Sequence, residues 1–213
     1  MSRIIVLMGI DGSGKTTQGE LLYYTFRKRR YKVKLIYAGN TGIRLGYKYS
    51  FYLSLPIDII THRLLKVHEK TLLSRYNSLL KIENLLLFLN YVLLVLPKIY
   101  FYKRMSQIVI ADRYVYDFIL SRIALRANSR FLARILMGMT PKPDVLLLLD
   151  VSEDIAYRRK NGEKPLKELR ILRRLYLSLM KRLGGYIVDA SRTIPEVFDE
   201  IWRLVEPDEN KNI

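Results

Sequence analysis

Cysteine is absent from the 213-residue chain, and histidine is reduced to two positions, His62 and His68. The first absence excludes disulfide frameworks, thiolate metal sites and cysteine nucleophiles. The second leaves zinc almost without ligands, and both histidines read as surface residues on a basic helix. Acidic residues are scarce: 20 Asp plus Glu stand against 37 Lys plus Arg, a formal net charge of +17. An excess of that size points to an anionic partner or substrate, such as a phosphate ester, nucleic acid or lipid headgroup, without choosing among them. Long apolar runs are missing too. The greasiest stretch, 85–96, contains Asn90 and is followed by Pro97-Lys98. It is shorter than the ~20 residues of a bilayer span and reads as a buried helix stopped by the proline. The segment after Met1 is too short for a signal-peptide core, so a cytoplasmic protein is expected, with no membrane partner.

What remains is half hydrophobic and 27% charged, enough to bury a full core in one domain, 1–213. Five short, nearly all-apolar runs read as strands: 4–8, 33–37, 107–111, 145–150 and 186–188. Helical patterns separate them, the signature of a parallel sheet with helices on both faces. A first helix is expected from Lys15 to near Arg30, its terminal Arg27-Lys28-Arg29-Arg30 suiting the negative end of the helix dipole. Ser152 reads as an N-cap followed by Glu153 and Asp154, and Thr193 with Glu196 as a capping box. Residues from about 39 to 103 form a long, mostly helical insertion, and 206–212 a frayed tail.

The sharpest signal is Gly9-Ile10-Asp11-Gly12-Ser13-Gly14-Lys15-Thr16, which satisfies G-x-x-x-x-G-K-[ST] between an apolar strand and a helix. Glycines at that junction let backbone N–H groups curl around phosphate at the positive end of the helix. Gly9, Asp11, Gly12, Ser13, Gly14, Lys15, Thr16 and Thr17 are therefore candidate nucleotide-binding residues. Lys15 is expected to reach the β- and γ-phosphates, and the Thr16 hydroxyl to bind Mg²⁺. The third strand ends in Asp112-Arg113-Tyr114. Asp112 is placed to hold the magnesium shell, and Arg113 suits a second anionic substrate. No Asn-Lys-x-Asp guanine-reading motif occurs, so transfer to an acceptor is favoured over a GTPase switch. The run Arg158-Arg159-Lys160-Asn161-Gly162-Glu163-Lys164-Pro165 joins cations to helix breakers and reads as a lid over about 158–166.

Gly9 to Gln18, Asp112-Arg113-Tyr114, Pro143-Asp144 before a strand, and Asp189-Ala190-Ser191 before the last helix together resemble the thymidylate kinases. The resemblance implies a P-loop kinase fold with strand order 2-3-1-4-5, ATP and Mg²⁺, and a nucleoside monophosphate such as dTMP as acceptor. It further implies that Asp11 meets the acceptor's sugar hydroxyl and Arg113 its phosphate. Arg158 or Arg159 would be the catalytic lid arginine, and the loop 191–193, with Arg192, would border adenine. Such kinases commonly form homodimers, and the apolar insertion helix is a candidate dimer face. Two departures stand out. The Pro-Gly-Gly-Thr-like stretch after the second strand is replaced by Ala38-Gly39-Asn40-Thr41-Gly42, and the position of a base-reading arginine falls at or beside Asn90 and Tyr91. Two alternatives therefore stay open: the same machinery with another acceptor, a deoxynucleoside or other small metabolite, for which Asp11 or Asp117 would be the base; or a basic ATP-binding protein acting on nucleic acid or membrane.

Overall fold

The computed structural model of the chain describes residues 2–39, 43–44, 50–51, 85, 87–124 and 129–207. His62, His68, Asn40, Thr41, Gly42 and most of the expected tail lie outside the described residues.

The chain enters through strand β1 (Arg3–Met8), turns over the glycine loop into helix α1 (Lys15–Lys28), and returns through β2 (Val33–Tyr37). A short antiparallel pair, β3 (Ile43–Arg44) with β4 (Ser50–Phe51), follows inside a segment expected to be mostly helical. A π-helical turn, Tyr91–Val95, then runs directly into α2 (Leu96–Met105). β5 (Ile108–Asp112), α3 (Val115–Ala124), α4 (Arg130–Met139), β6 (Val145–Asp150) and α5 (Glu153–Arg159) come next. The chain finishes with α6 (Leu166–Leu183), β7 (Tyr186–Asp189) and α7 (Ile194–Val205).

Five strands form one all-parallel sheet in the order β2-β5-β1-β6-β7, the expected 2-3-1-4-5 arrangement. β1 lies at its centre because Ile4 to Met8 are wholly buried, leaving no side chain that tolerates an edge. The register pairs Leu7 with Asp112 and Met8 with Leu148, so the C-terminal ends of β1 and β5 lie side by side and β6 runs two residues further. α1 packs on β1, β2 and β5 and against α7, while α6 packs on β6, α3 and α5, covering the two faces. Phe26 of α1 is sealed between Tyr31 and Trp202.

Two expectations need correction. Strand 186–188 was expected to be covered on both faces. β7 is instead an edge strand whose Tyr186 and Ile187 are half exposed, since among the described residues only β6 pairs with it. The helix expected to stop at Pro97 continues to Met105. Proline sits in the first turn of this helix, where its missing N–H costs least, directly after the π turn. Nor is that helix wholly buried. Tyr91, Leu96 and Ile99 face the core, while Leu85, Leu89 and Leu93 face outward.

Candidate active site

The loop between β1 and α1 takes its shape from glycines at two positions where nothing else fits. Gly9 and Gly12 hold φ of 143° and 89°, and a Cβ on either would lie 2.6 Å from a carbonyl oxygen, that of Leu149 and of Ala156 respectively. The loop therefore lies flush on β6 and α5. Lys15 is buried beneath it, and its ammonium donates to the Gly9 and Ile10 carbonyls at 2.8 Å each and to Ser13 Oγ at 3.3 Å. Burial pushes its pKa down, opposed by the carboxylates of Asp112 and Asp117. All three of its donors are matched, so the charge is held at the floor of the loop.

At the next residue the Thr16 hydroxyl donates to Asp112 Oδ2 at 2.7 Å. The other carboxylate oxygen, Oδ1, is buried and, among the described residues, has no hydrogen-bond partner. A hydroxyl and a carboxylate with a spare oxygen at the rim of a phosphate loop are the hard oxygen donors Mg²⁺ prefers, so the residues fit the ion the motif implies.

Arg113, one residue on, adopts a left-handed backbone (φ 69°), and its guanidinium pairs with Asp11. This turn has its own anchor. Asp117 is buried and accepts from the Tyr114 amide at 2.8 Å and from the Tyr176 hydroxyl at 2.6 Å. Burial raises the Asp117 pKa, while Arg113 and the Tyr176 bond pull it back. Across the mouth, α5 ends at Arg159 and the chain reverses through Asn161 (φ 50°) and Gly162 (φ 75°). Arg159 donates to the Ala190 carbonyl at 3.0 Å and the Gly12 carbonyl at 3.4 Å. From the far side of the same turn, Lys164 reaches Asp11 Oδ2 at 3.0 Å and Glu168 at 3.3 Å. Arg173 of α6 ties this hairpin to the sheet, gripping Asp150 with two nitrogens at 2.8 and 2.9 Å and Glu153 at 3.0 Å.

These groups surround one cavity of about 930 Å³. Of the residues singled out from sequence, the loop from Asp11 to Thr17 lines it, as do Asp112, Arg113, Arg159 and Arg192. Gly9 lies behind the wall as an acceptor for Lys15. Arg158 does not line the cavity; it is exposed and donates to the Asp154 carbonyl. Arg192 is held by Glu200 and by the Asp189 carbonyl at 3.2 Å. Sequence reasoning missed Lys164 as a cavity cation and Tyr176 as the partner of Asp117. It also missed Gln18, whose amide reaches the Ile194 carbonyl at 3.0 Å. Lys164 sat within the basic segment already noted, but only folding brings it to Asp11.

On α3, Phe118 and Ser121 line the cavity, and Tyr91 stacks on Phe118 with centroids 5.7 Å apart. Tyr91 is fully buried and, among the described residues, its hydroxyl has no partner. Tyr116 packs against Tyr114 at 5.9 Å.

A family model for thymidylate kinase matches residues 7–201. The chain belongs to the thymidylate kinase family. It is therefore a nucleoside monophosphate kinase, a phosphotransferase of a family that uses ATP. Proteins described as probable thymidylate kinases are similar over nearly its whole length. One from Methanosphaera stadtmanae is 33% identical across 92% of this chain and 94% of the relative. One from Archaeoglobus fulgidus is 27% identical across 95% and 94%. A third, probable thymidylate kinase 1 of Saccharolobus solfataricus, is 27% identical across 97% and 98%. Membership of the thymidylate kinase family accounts for the loop, the Asp112-Arg113 turn and the sheet order together.

Proposed function

We propose that the enzyme moves the γ-phosphoryl group of ATP onto dTMP. The observation that carries this reading is the convergence of two anion sites in one cavity: the glycine loop with Lys15, and Arg113 at the end of the adjacent strand. A monophosphate with a second pKa near ~6 is already an anionic nucleophile at neutral pH, so positioning and charge neutralisation suffice. That fits the carboxylates present. Both oxygens of Asp117 are engaged by the Tyr114 amide and the Tyr176 hydroxyl, and Asp11 is paired with Arg113 and Lys164, so neither is poised as a base.

In this scheme the loop amides and Lys15 hold the β- and γ-phosphates. Thr16 and Asp112 hold Mg²⁺, which when bound neutralises phosphate charge. Arg113 receives the acceptor phosphate. Arg159, whose guanidinium already spans the loop and the 190–193 turn, is the lid arginine in preference to Arg158. Arg192 borders the adenine. Residues 39–103 supply the acceptor-binding insertion and 158–166 the lid. The work is cytoplasmic. Among the described residues no helix is long and apolar enough to cross a membrane.

A different acceptor base is the second reading, favoured by the aromatic pair Tyr91 and Phe118 near the position expected for a base-reading arginine. The test of both is coupled ADP release with ATP–Mg²⁺ against dTMP, dUMP, UMP, CMP, AMP, GMP and thymidine. Turnover highest with dTMP supports the first reading. Turnover highest with another monophosphate supports the second, and no turnover with any monophosphate removes both. We also propose a homodimer through the exposed apolar residues Leu85, Leu89, Leu93, Phe101 and Met105 of the helical segment ending at Met105. Sedimentation of a Leu93→Asp variant tests it: the wild type should sediment as a dimer and the variant as a monomer.

A further inference from the structure

We infer that Lys164 is an acceptor-phosphate ligand carried in by the lid, and that Asp11 holds its place until the substrate arrives. The inference rests on the kinase reading above. One carboxylate here serves two cations from opposite walls of the cavity: Oδ1 takes Arg113 from the end of β5, and Oδ2 takes Lys164, at 3.0 Å, from the turn before α6. One carboxylate thus faces both cations, and Glu168 lies 3.3 Å from Lys164 alone. Their side chains are 21–34% exposed, open enough to exchange partners with a solute. A phosphate monoester carries about −1.5 to −2 at pH 7 and three acceptor oxygens, so it satisfies both cations better than a carboxylate does.

Of the other cations lining the cavity, Lys15 and Arg159 lie against the glycine loop. Lys15 donates to the Gly9 and Ile10 carbonyls, and Arg159 to those of Gly12 and Ala190, all on the loop and its 190–193 neighbour. Lys164 is aimed at the acceptor side by the left-handed Asn161-Gly162 pair, which reverses the lid, and by Arg173, which fixes the root of α6 to Asp150 and Glu153. Its remaining neighbour, Glu168, lies one helical turn further on at 3.3 Å and travels with the same segment. The lid would thus contribute one cation to each substrate: Arg159 to the donor and Lys164 to the acceptor.

The experiment has two arms with wild type, Lys164→Ala, Lys164→Arg, Asp11→Asn and the exposed control Lys167→Ala. In steady-state kinetics with ATP–Mg²⁺ and dTMP, Lys164→Ala should raise the acceptor KM by about tenfold or more with the ATP KM nearly unchanged. Lys164→Arg should recover most of the loss, and Lys167→Ala should match wild type. In calorimetry with inorganic phosphate at fixed ionic strength, Lys164→Ala should bind more weakly and Asp11→Asn more tightly, because the competing carboxylate charge is gone. A loss confined to the ATP KM, or an unchanged acceptor KM, overturns the inference. So does equal phosphate affinity in wild type and Lys164→Ala, or no phosphate binding by wild type. If wild type phosphorylates no monophosphate, the kinase reading falls and the calorimetric arm alone decides the role of Lys164.

Discussion

Replacing Tyr176 by Phe removes a single oxygen from the core, and its consequence can be worked through. Tyr176 is 2% exposed, and its hydroxyl donates to Asp117 Oδ1 at 2.6 Å. Burial drives the tyrosine pKa far up, so the group is a donor throughout the working pH range. A hydrogen bond to a charged partner contributes about 1.5–3 kcal/mol, and the substitution leaves the phenyl packing in place while orphaning one carboxylate oxygen. For a chain of this size about 2–4 °C of melting temperature accompanies each kcal/mol, so a fall of roughly 3–12 °C is expected. The pH dependence is the sharper test. Asp117 already has a folded-state pKa above its unfolded value because of burial, so its ionisation opposes folding. Stability from this group is greatest below the ordinary carboxylate pKa and declines as pH rises through the folded one. Losing the Tyr176 bond raises the folded pKa further. The deficit of Tyr176→Phe relative to wild type should therefore be small near about pH 3 and widen towards about pH 7. Urea titrations across that range measure it. A deficit below about 0.5 kcal/mol at neutral pH, or one that does not change with pH, would refute the reasoning.

Lys15→Ala should lower phosphoryl transfer by about 10² or more, the cost of removing one preorganised charge-stabilising donor, while circular dichroism shows an intact fold. Activity equal to wild type would contradict its place under the phosphate loop. Asp112→Asn keeps a partner for the Thr16 hydroxyl but removes the spare anionic oxygen, so activity titrated against Mg²⁺ should require a markedly higher concentration; an unchanged titration would dissociate Asp112 from the ion. Glu153 is drawn down to a pKa of about 2 by its own backbone amide together with Arg170 and Arg173. Its stabilisation is present above about 4.5 and lost as pH falls towards 2, so Glu153→Gln should be less stable than wild type at neutral pH and converge with it in acid. Parallel acid-unfolding curves would refute that assignment. Gly12→Ala places a Cβ 2.6 Å from the Ala156 carbonyl at a left-handed φ, so it should lower the melting temperature and abolish ATP binding by calorimetry together.

How much was legible before folding depended on the range of the interaction involved. The five strands, the start of α1, the Ser152 cap and the Thr193–Glu196 capping box are local arrangements of backbone donors and short side chains, and all are present in the structure. The phosphate loop was equally readable, since its glycines answer to positive φ and close approach within eight residues of chain. Helix 91–105 was misjudged because a proline's missing N–H was taken as a stop, whereas packing of Tyr91, Leu96 and Ile99 carries the helix through. The openness of β7 was missed because an edge strand differs from a covered one only in its neighbours.

From sequence alone came the chemistry of the first substrate: a glycine-lysine-threonine loop can do little besides grip phosphate, and that follows from spacing. Tertiary structure decided which charges meet. Asp11 and Lys164 are 153 positions apart and Asp117 and Tyr176 are 59 apart. No periodicity or motif encodes such pairs, because charge is unselective at the level of sequence and acquires a partner only when the sheet and lid bring two burial environments together.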